Sequence, residues 1–143
     1  MITTISGTYK DSIGLAIAGH YIQNRKFPLE GPFSAIAWLK DQKMIGQAIF
    51  TSYNDSNIDI HLYAPGCFCK RTIREVYTYV FKHLKCNRLT ARLDSSEDNL
   101  SRLLPRLGFV YKHTDEGYYG EPGKPVDALV YVLTSKNAEK WIR

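Results

Sequence analysis

The chain lacks the features that mark a secreted or membrane-inserted protein. It has three cysteines among 143 residues, an odd number that does not suit a disulfide framework. No apolar run approaches the roughly 20 residues that a membrane-spanning helix needs. The opening MITTISGTYKDSIG also lacks the charged and then apolar order of a secretory leader. These absences predict a cytoplasmic protein with free thiols.

Internal repeats, low-complexity tracts and long runs of like charge are also missing, which argues against a solenoid and against disorder. An apolar content of 44% is ordinary for a soluble globular chain. We therefore predict a single domain over residues 1–143. The net charge of +5 favours an anionic partner, but it does not choose between nucleic acid, acidic protein and a phosphorylated cofactor.

The sequence gives little support for a metal site or a nucleic-acid site. Cys67 and Cys69 are separated by one residue, which is not the spacing of a zinc-binding cysteine pair, and we predict no metal. No orienting base for a cysteine nucleophile is visible in the sequence. Basic residues such as Arg88 and Arg92 occur without a helix-turn-helix, zinc-finger or RNA-recognition motif, so nucleic acid is not expected as a partner.

The first half of the chain predicts a strand, a helix and three more strands. Apolar residues at helical spacing indicate a helix over 12–24, with Ser12 as its N-cap and Ile13 and Ile22 on its apolar face. The turn 41–43 separates two apolar runs and predicts a hairpin. A further strand, IDIHLY, follows a second turn.

The second half predicts a helix, a strand, a helix and a final strand pair. Apolar residues recur at steps of three and four over 72–85, which indicates an amphipathic helix. The run 87–94 alternates as a strand does. A helix that begins in SSEDN ends at Gly108. The last two strands bracket the Gly/Pro-rich segment TDEGYYGEPGKPV, which predicts a loop, and the order indicates a mixed α/β sandwich.

The strand IDIHLY stops at Pro65-Gly66, and a new helix then begins beside Lys70 and Arg71. The first turn of a helix has unpaired N–H groups and a partial positive charge, so this break is a candidate anion site. The alternative is a plain strand-to-helix connector whose basic side chains are solvated.

From about Ala35 to Trp141 the order and motifs resemble the GNAT acyltransferase superfamily, especially small phage-encoded members close to ribosomal-protein N-acetyltransferases. The resemblance rests on IHLYAPGCFCKRTIREVYTYVFKHLKCNRLTARLDSSEDNLSRLLPRLGF and on the terminal VDALVYVL and EKW. It implies an α/β fold with a mixed, mostly antiparallel sheet, helices on both faces and a splayed central strand.

The same resemblance implies acetyl-CoA as co-substrate. The strand 58–64 would bond the pantetheine arm through its backbone, and the loop and helix after it would hold the pyrophosphate. This chain has no glycine after Gly66 in that loop, whereas the family loop usually reads Arg/Gln-x-x-Gly-x-Gly/Ala. Asn99 falls where the family places an Asn near pantetheine or an ordered water, or it caps the helix. The implied cofactor-binding residues are Leu62, Tyr63, Ala64, Cys69, Lys70, Arg71, Thr72 and Asn99.

Acetyl transfer needs a base, because a lysine-type amine with a pKa near about 10.4 must lose a proton before it attacks. Asp59, His61 and Tyr63 share one face of the strand IDIHLY and are the candidate catalytic residues. His61 is the better-tuned base at neutral pH, whereas Asp59 would need desolvation. The alternative is that these are polar residues on an exposed sheet face.

The general acid is less clear from the sequence. Many family members place a Tyr four residues before the Gly-Phe pair, and this chain has Leu104 there. Another tyrosine would serve instead, or the thiolate would leave unaided; the candidates are Tyr63, Tyr118, Tyr119 and Tyr131.

The sequence therefore predicts an N-acetyltransferase that moves an acetyl group directly from acetyl-CoA to an amine on a protein or small molecule. The alternative is a catalytically inactive binding or structural protein of the same fold, such as a phage virion or host-interaction component acting in the host cytoplasm. The acceptor segments are expected at 20–33 and 114–125, and the stretch EGYYGEPGKP in the second also suggests a mobile lid.

Overall fold

A computed structural model describes residues 1–25, 29, 31–65 and 69–143, apart from the side chain of residue 25. The elements in chain order are β1 (Ile2–Thr8), α1 (Ser12–Arg25), β2 (Phe33–Lys40), β3 (Lys43–Thr51), β4 (Asn57–Tyr63), α2 (Lys70–Thr78) with a π-helical turn (Tyr79–His83), β5 (Arg88–Asp94), α3 (Asp98–Arg106), β6 (Val110–Glu121), β7 (Lys124–Thr134) and α4 (Ser135–Ile142). None of the helices in these ranges is long and apolar enough to cross a membrane.

The strands form one seven-stranded sheet in the order β1-β2-β3-β4-β5-β7-β6. Neighbouring strands are antiparallel except β4 and β5, which run parallel. The α2 helix is the crossover between these parallel strands, as parallel pairing requires. The predicted mixed, mostly antiparallel sheet is confirmed.

Helices cover both faces of the sheet, as predicted. Successive residues of a strand point to opposite faces, and in β2 Trp38 packs on one side while Ala37 packs on the other. The smaller core lies under α1 and includes Ile17. The larger core lies under the other three helices and includes Val76, Leu104 and Ala138.

The α1 helix begins where two glycines allow close backbone approach. A Cβ on Gly14 would collide with the carbonyl oxygen of Thr8, and a Cβ on Gly7 would lie 2.5 Å from the Gly14 nitrogen. Asp11, not Ser12 as predicted, caps the helix, because its carboxylate accepts from the Gly14 backbone N–H at 2.7 Å.

The close approach of Gly7 and Gly14 also sets the rotation of α1 about its axis. Gly14, Ile17, Ala18 and Tyr21 face the sheet. The predicted apolar face was therefore partly wrong, since Ile13 is 48% exposed and Ile22 39% exposed.

The predicted loop at 114–126 is wrong. The β6 strand continues to Glu121 and pairs with β7 up to a turn at 122–123. Gly117 has a positive φ and lies in the register irregularity between Asp115 and Tyr119. Gly120 also has a positive φ, pairs with Pro125, and would place an added Cβ against the Lys124 carbonyl. Glycines that suggested a loop instead shape a bulged hairpin.

Two further features were not predicted. The helix expected over 72–85 is α-helical only to Thr78 and ends in the π-helical turn, where the Leu84 N–H reaches the Tyr79 carbonyl. The α4 helix follows β7 directly, and the Thr134 hydroxyl accepts from the Asn137 N–H as its N-cap. That threonine was the available signal for the missed helix.

Candidate active site

The two parallel strands separate halfway along their length. Their pairing runs from Asn57 with Arg88 to Ile60 with Ala91, although both strands continue beyond it. On its other edge β4 stays paired with β3 as far as Tyr63. Beyond Ile60, no strand among the described residues pairs with the edge of β4 that faces β5, which is the predicted splay.

A cavity of about 270 Å³ occupies this opening. One side is apolar and is formed under α2 and α3 by residues such as Ile73 and Leu104. The other side is polar; its residues include Tyr21, His61, Arg92, Asp94 and Tyr119. The cavity thus joins the two faces of the sheet through the gap between β4 and β5.

His61 lies on the polar side of the cavity and is half-buried. Burial lowers its pKa below the ordinary value of 6.5, with the Arg92 charge acting in the same direction and the Asp59 charge opposing it. Its Nε2 is 2.8 Å from the Thr51 hydroxyl oxygen, and the Tyr21 ring stands edge-on to the imidazole. An imidazole that is neutral at physiological pH is suited to accept a proton.

Asp59 is occupied by neighbouring side chains. One carboxylate oxygen accepts from the Asn57 amide at 3.1 Å, and the other forms an ion pair with Arg92 at 3.0 Å. Arg92 also lies 3.7 Å from the Asp115 carboxylate and under the Tyr118 ring. The structure thus places Asp59 and Arg92 in a charge network beside His61.

Of the tyrosines predicted as general acids, Tyr119 lines the cavity and Tyr63 does not. Tyr63 packs against the core under α1 and is not among the cavity-lining residues described, whereas Tyr119 is. The Tyr119 hydroxyl lies 3.5 Å from the Arg92 carbonyl oxygen. Leu104 lines the apolar side and is 3% exposed. Tyr21 also lines the cavity and was missed, because its helical spacing indicated only core packing.

The N-terminus of α2 is closed by its own side chains. The Cys69 N–H donates to the Thr72 hydroxyl at 3.2 Å, and that hydroxyl lies 3.2 Å from the Cys69 carbonyl. The Thr72 backbone N–H is the largest cause of a lowered pKa at the Cys69 thiol. Cys69 is exposed, whereas Thr72 is buried. The loop residues 66–68, expected at the pyrophosphate, lie outside the described residues.

A strongly basic groove adjoins this helix end. It has a volume of about 780 Å³, and its lining residues are Lys70, Arg71, Arg74, Arg106, Lys140, Trp141 and Arg143. The lining includes six cations and no carboxylate side chain among the residues described. Only Lys70 and Arg71 were predicted here, since the others come from helices whose packing the sequence did not reveal.

The cations of the groove are held to different degrees. Arg71 donates to the Ile2 carbonyl at 2.7 Å and lies 4.0 Å from Glu75, so its guanidinium is anchored toward β1. Arg74 donates to the carbonyls of Trp141 and Arg143. Lys70 and Lys140 are exposed, and Lys140 lies 5.7 Å from the Trp141 ring centre.

Two other predicted features can be located. Asn99 is exposed in the first turn of α3, and its neighbour Leu100, not Asn99, is among the cavity-lining residues described. In the part of the chain that the structure covers, no three His, Cys, Asp or Glu residues are grouped as a metal site.

Comparison with solved structures identifies the fold. The spermidine/spermine N-acetyltransferase SpeG from Vibrio cholerae, solved in mutant form, superposes with a TM-score of 0.79 and 13% identity over 97% of this chain and 96% of that chain. Ribosomal-protein-S18-alanine N-acetyltransferase from Escherichia coli gives 0.68 and 19% over 94% of each chain. No family model and no curated protein matches the sequence.

These similarities show that the chain has the fold of the GNAT acetyltransferases, which confirms the fold that the sequence resemblance implies. The match spans nearly the whole of both chains. Sequence identity is too low to transfer an acceptor or a residue role.

Proposed function

We propose that the protein is an N-acetyltransferase that moves an acetyl group from acetyl-CoA to an amine by direct transfer. The observation that carries the proposal is the separation of β4 from β5 after Ile60, which opens a cavity to both faces of the sheet beside His61. One face offers cations for a phosphorylated donor, and the other offers a base for an acceptor.

The chemistry of the site fits acetyl-CoA. The backbone groups of Leu62, Tyr63 and Ala64 would bond the amides of pantetheine, which would lie where a neighbouring strand would otherwise pair with β4. Lys70, the α2 N-terminus with Cys69, and the rest of the basic groove would hold the phosphates. Thr72 would act by fixing the helix N-terminus, because its hydroxyl is already bonded to Cys69. Bound acetyl-CoA supplies the activated acyl thioester.

Arg71 and Asn99 would have smaller parts in donor binding. Arg71 would add charge to the groove from its anchored position near β1. Asn99 would reach the donor only from the rim, since it is exposed at the start of α3.

His61 would accept the acceptor's proton, directly or through water, because burial keeps its imidazole neutral. Thr51 would orient the ring through its hydrogen bond to Nε2. Asp59 and Arg92 would form the adjoining charge network and fix the polar wall of the cavity. Tyr63 would contribute its backbone, since its side chain packs under α1.

Backbone N–H groups of 62–64 would stabilise the oxyanion that develops on the thioester carbonyl. Tyr119 would donate a proton to the departing thiolate, since it lines the cavity where the family's usual position holds Leu104. A thiolate is also a good leaving group, so this assistance is the least demanding part of the reaction.

The acceptor is proposed only as an amine, on a protein or a small molecule. The similar structures are described as acting on spermidine in one case and on a ribosomal-protein alanine in the other, so the shared fold does not select the acceptor. The proposal includes a single domain over the whole chain and a location in the cytoplasm, which would be that of the host cell if a phage encodes the protein.

A thermal-shift titration with acetyl-CoA tests donor binding, with adenosine 3′,5′-bisphosphate and polyphosphate as controls. A ligand that binds only the folded state at about 100 times its Kd stabilises it by roughly 2.7 kcal/mol. We expect saturable stabilisation by acetyl-CoA beyond that given by polyphosphate. Release of free thiol in the presence of a panel of amines then tests transfer.

Two negative results have separate meanings. Absence of stabilisation at millimolar acetyl-CoA would overturn the proposal and favour a binding protein of the same fold. Leu104 in the cavity and the scarcity of glycine in the loop after β4 are the reasons for considering that alternative. Tight acetyl-CoA binding without thiol release for any amine would retain the donor site and remove the transfer.

A further inference from the structure

The two edges of the sheet differ in how they are protected from pairing with other strands. The β6 edge carries charged residues and two register irregularities, both of which discourage edge-to-edge pairing. The β1 edge has no charged residue and no proline, and its register with β2 is unbroken from Ile2 to Thr8. The sheet is therefore left open to a further strand at β1.

The outward backbone groups of β1 can be assigned from its hydrogen bonds. The Tyr9 N–H donates to the Phe33 carbonyl, so odd-numbered residues face β2 and even-numbered residues face outward. At one end, the outward carbonyl of Ile2 accepts from Arg71. At the other end, the Thr8 N–H and carbonyl are bonded to the side chain and backbone N–H of Asp11.

Thr4 and Ser6 lie between these ends, and no described residue bonds to their outward N–H or carbonyl groups. They are placed symmetrically about Ile5. An antiparallel strand centred on Ile5 would set Thr4 opposite the other strand's Ser6, and each such pair exchanges both of its hydrogen bonds. The open part of this edge is thus complementary to itself.

We propose that β1 is a homodimer interface in which two copies pair antiparallel about Ile5 and form one continuous sheet. The same register places Ile2 of one copy opposite Thr8 of the other. Arg71, anchored at Ile2, would then lie beside Asp11 of the second copy, which is anchored at Thr8. This pairing of opposite charges at both ends favours a second copy over an unrelated peptide.

Cysteine cross-linking tests the register directly. In a non-hydrogen-bonded antiparallel pair the Cα atoms are about 4.5 Å apart, which is within disulfide range. Ile5→Cys would face its own counterpart across the two-fold axis, whereas the control Thr3→Cys would face Gly7. Under mild oxidation we expect only Ile5→Cys to form a dimer whose disulfide joins two copies of the tryptic peptide 1–10. Disulfides formed through the native cysteines lie in other peptides and give the background. Equal linking of both variants, or of neither, overturns the proposed register.

A second test retains the native core. Ser6→Pro removes an outward donor and no hydrogen bond to β2, so it should preserve the fold and raise the dimer dissociation constant about tenfold or more. Sedimentation velocity over a concentration series measures this constant. Hydrogen exchange of the unaltered chain should slow at Thr4 and Ser6 as the concentration rises. A monomer at every concentration, a dimer insensitive to Ser6→Pro, or exchange independent of concentration overturns the interface.

Discussion

His61 is a candidate proton acceptor that lies half-buried on the polar side of the cavity. Its pKa is lowered chiefly because burial disfavours the charged imidazole. Asp59 on the same strand face has both carboxylate oxygens engaged by Asn57 and Arg92. The two candidates that alternation placed side by side are therefore distinguished by their hydrogen-bond partners.

We expect the acid limb of the kcat/KM profile to follow His61. The base must be neutral, so activity should fall as the pH drops through its lowered pKa, at a pH below the ordinary 6.5. His61→Ala should reduce kcat by about 10²–10⁴ while acetyl-CoA binding is retained. Steady-state kinetics across pH, with calorimetric titration of acetyl-CoA, measures both.

Tyr63→Phe is the matched control on the same strand. Because the Tyr63 side chain packs under α1 rather than in the cavity, its hydroxyl should be dispensable. A large loss of kcat in Tyr63→Phe, or unchanged turnover and acid limb in His61→Ala, would contradict this assignment.

At the scale of the elements, α1 is defined by backbone contact more than by its apolar pattern. Its outer face bears exposed Ile13, Leu15 and Ile22, so hydrophobicity alone does not set its rotation. The close approach of Gly7 and Gly14 does.

Gly14→Ala and Gly19→Ala test this directly within one helix. A Cβ at Gly14 meets the Thr8 carbonyl, so the variant should lose about 1–3 kcal/mol of unfolding free energy. Gly19 has nothing within 4 Å of an added Cβ, and its replacement should gain about 0.5–1 kcal/mol. Urea denaturation gives both values. Equal effects at the two positions would show that the contact does not determine the position of α1.

At the scale of the whole molecule, the groove and the cavity differ in the charges that line them. The basic groove draws cations from α2, α3 and α4, whereas the polar side of the cavity holds Asp94 and the network formed by Asp59, Arg92 and Asp115. An anionic donor and a cationic acceptor would thus approach from opposite faces.

Lys140 and Lys136 provide a matched test on α4. Lys140 lines the groove, whereas Lys136 is exposed on the same helix outside it. Lys140→Ala should weaken acetyl-CoA binding about five- to tenfold, and Lys136→Ala should leave it unchanged. Isothermal titration at two salt concentrations measures the effect, which salt should diminish. Equal losses in both variants would indicate a long-range charge effect rather than a contact in the groove.

The sequence by itself determined the order of the strands and of the first three helices, the mixed sheet and the candidate base. These follow from local rules: apolar periodicity marked the strands and α2, Gly108 marked a helix end, and alternation placed His61 with Asp59. The motifs after the fourth strand were enough to suggest the fold that the structural comparison confirmed.

Tertiary structure decided what depends on contacts between distant residues. The glycines of 114–126 indicate a loop locally, but pairing with β7 makes that segment a bulged hairpin. Lys140 and Arg143 meet Arg74 only because α4 packs beside α2, and Arg106 joins them from the end of α3. The point at which β4 leaves β5 is likewise fixed by pairing across the sheet, because a strand's own sequence does not encode where its neighbour departs.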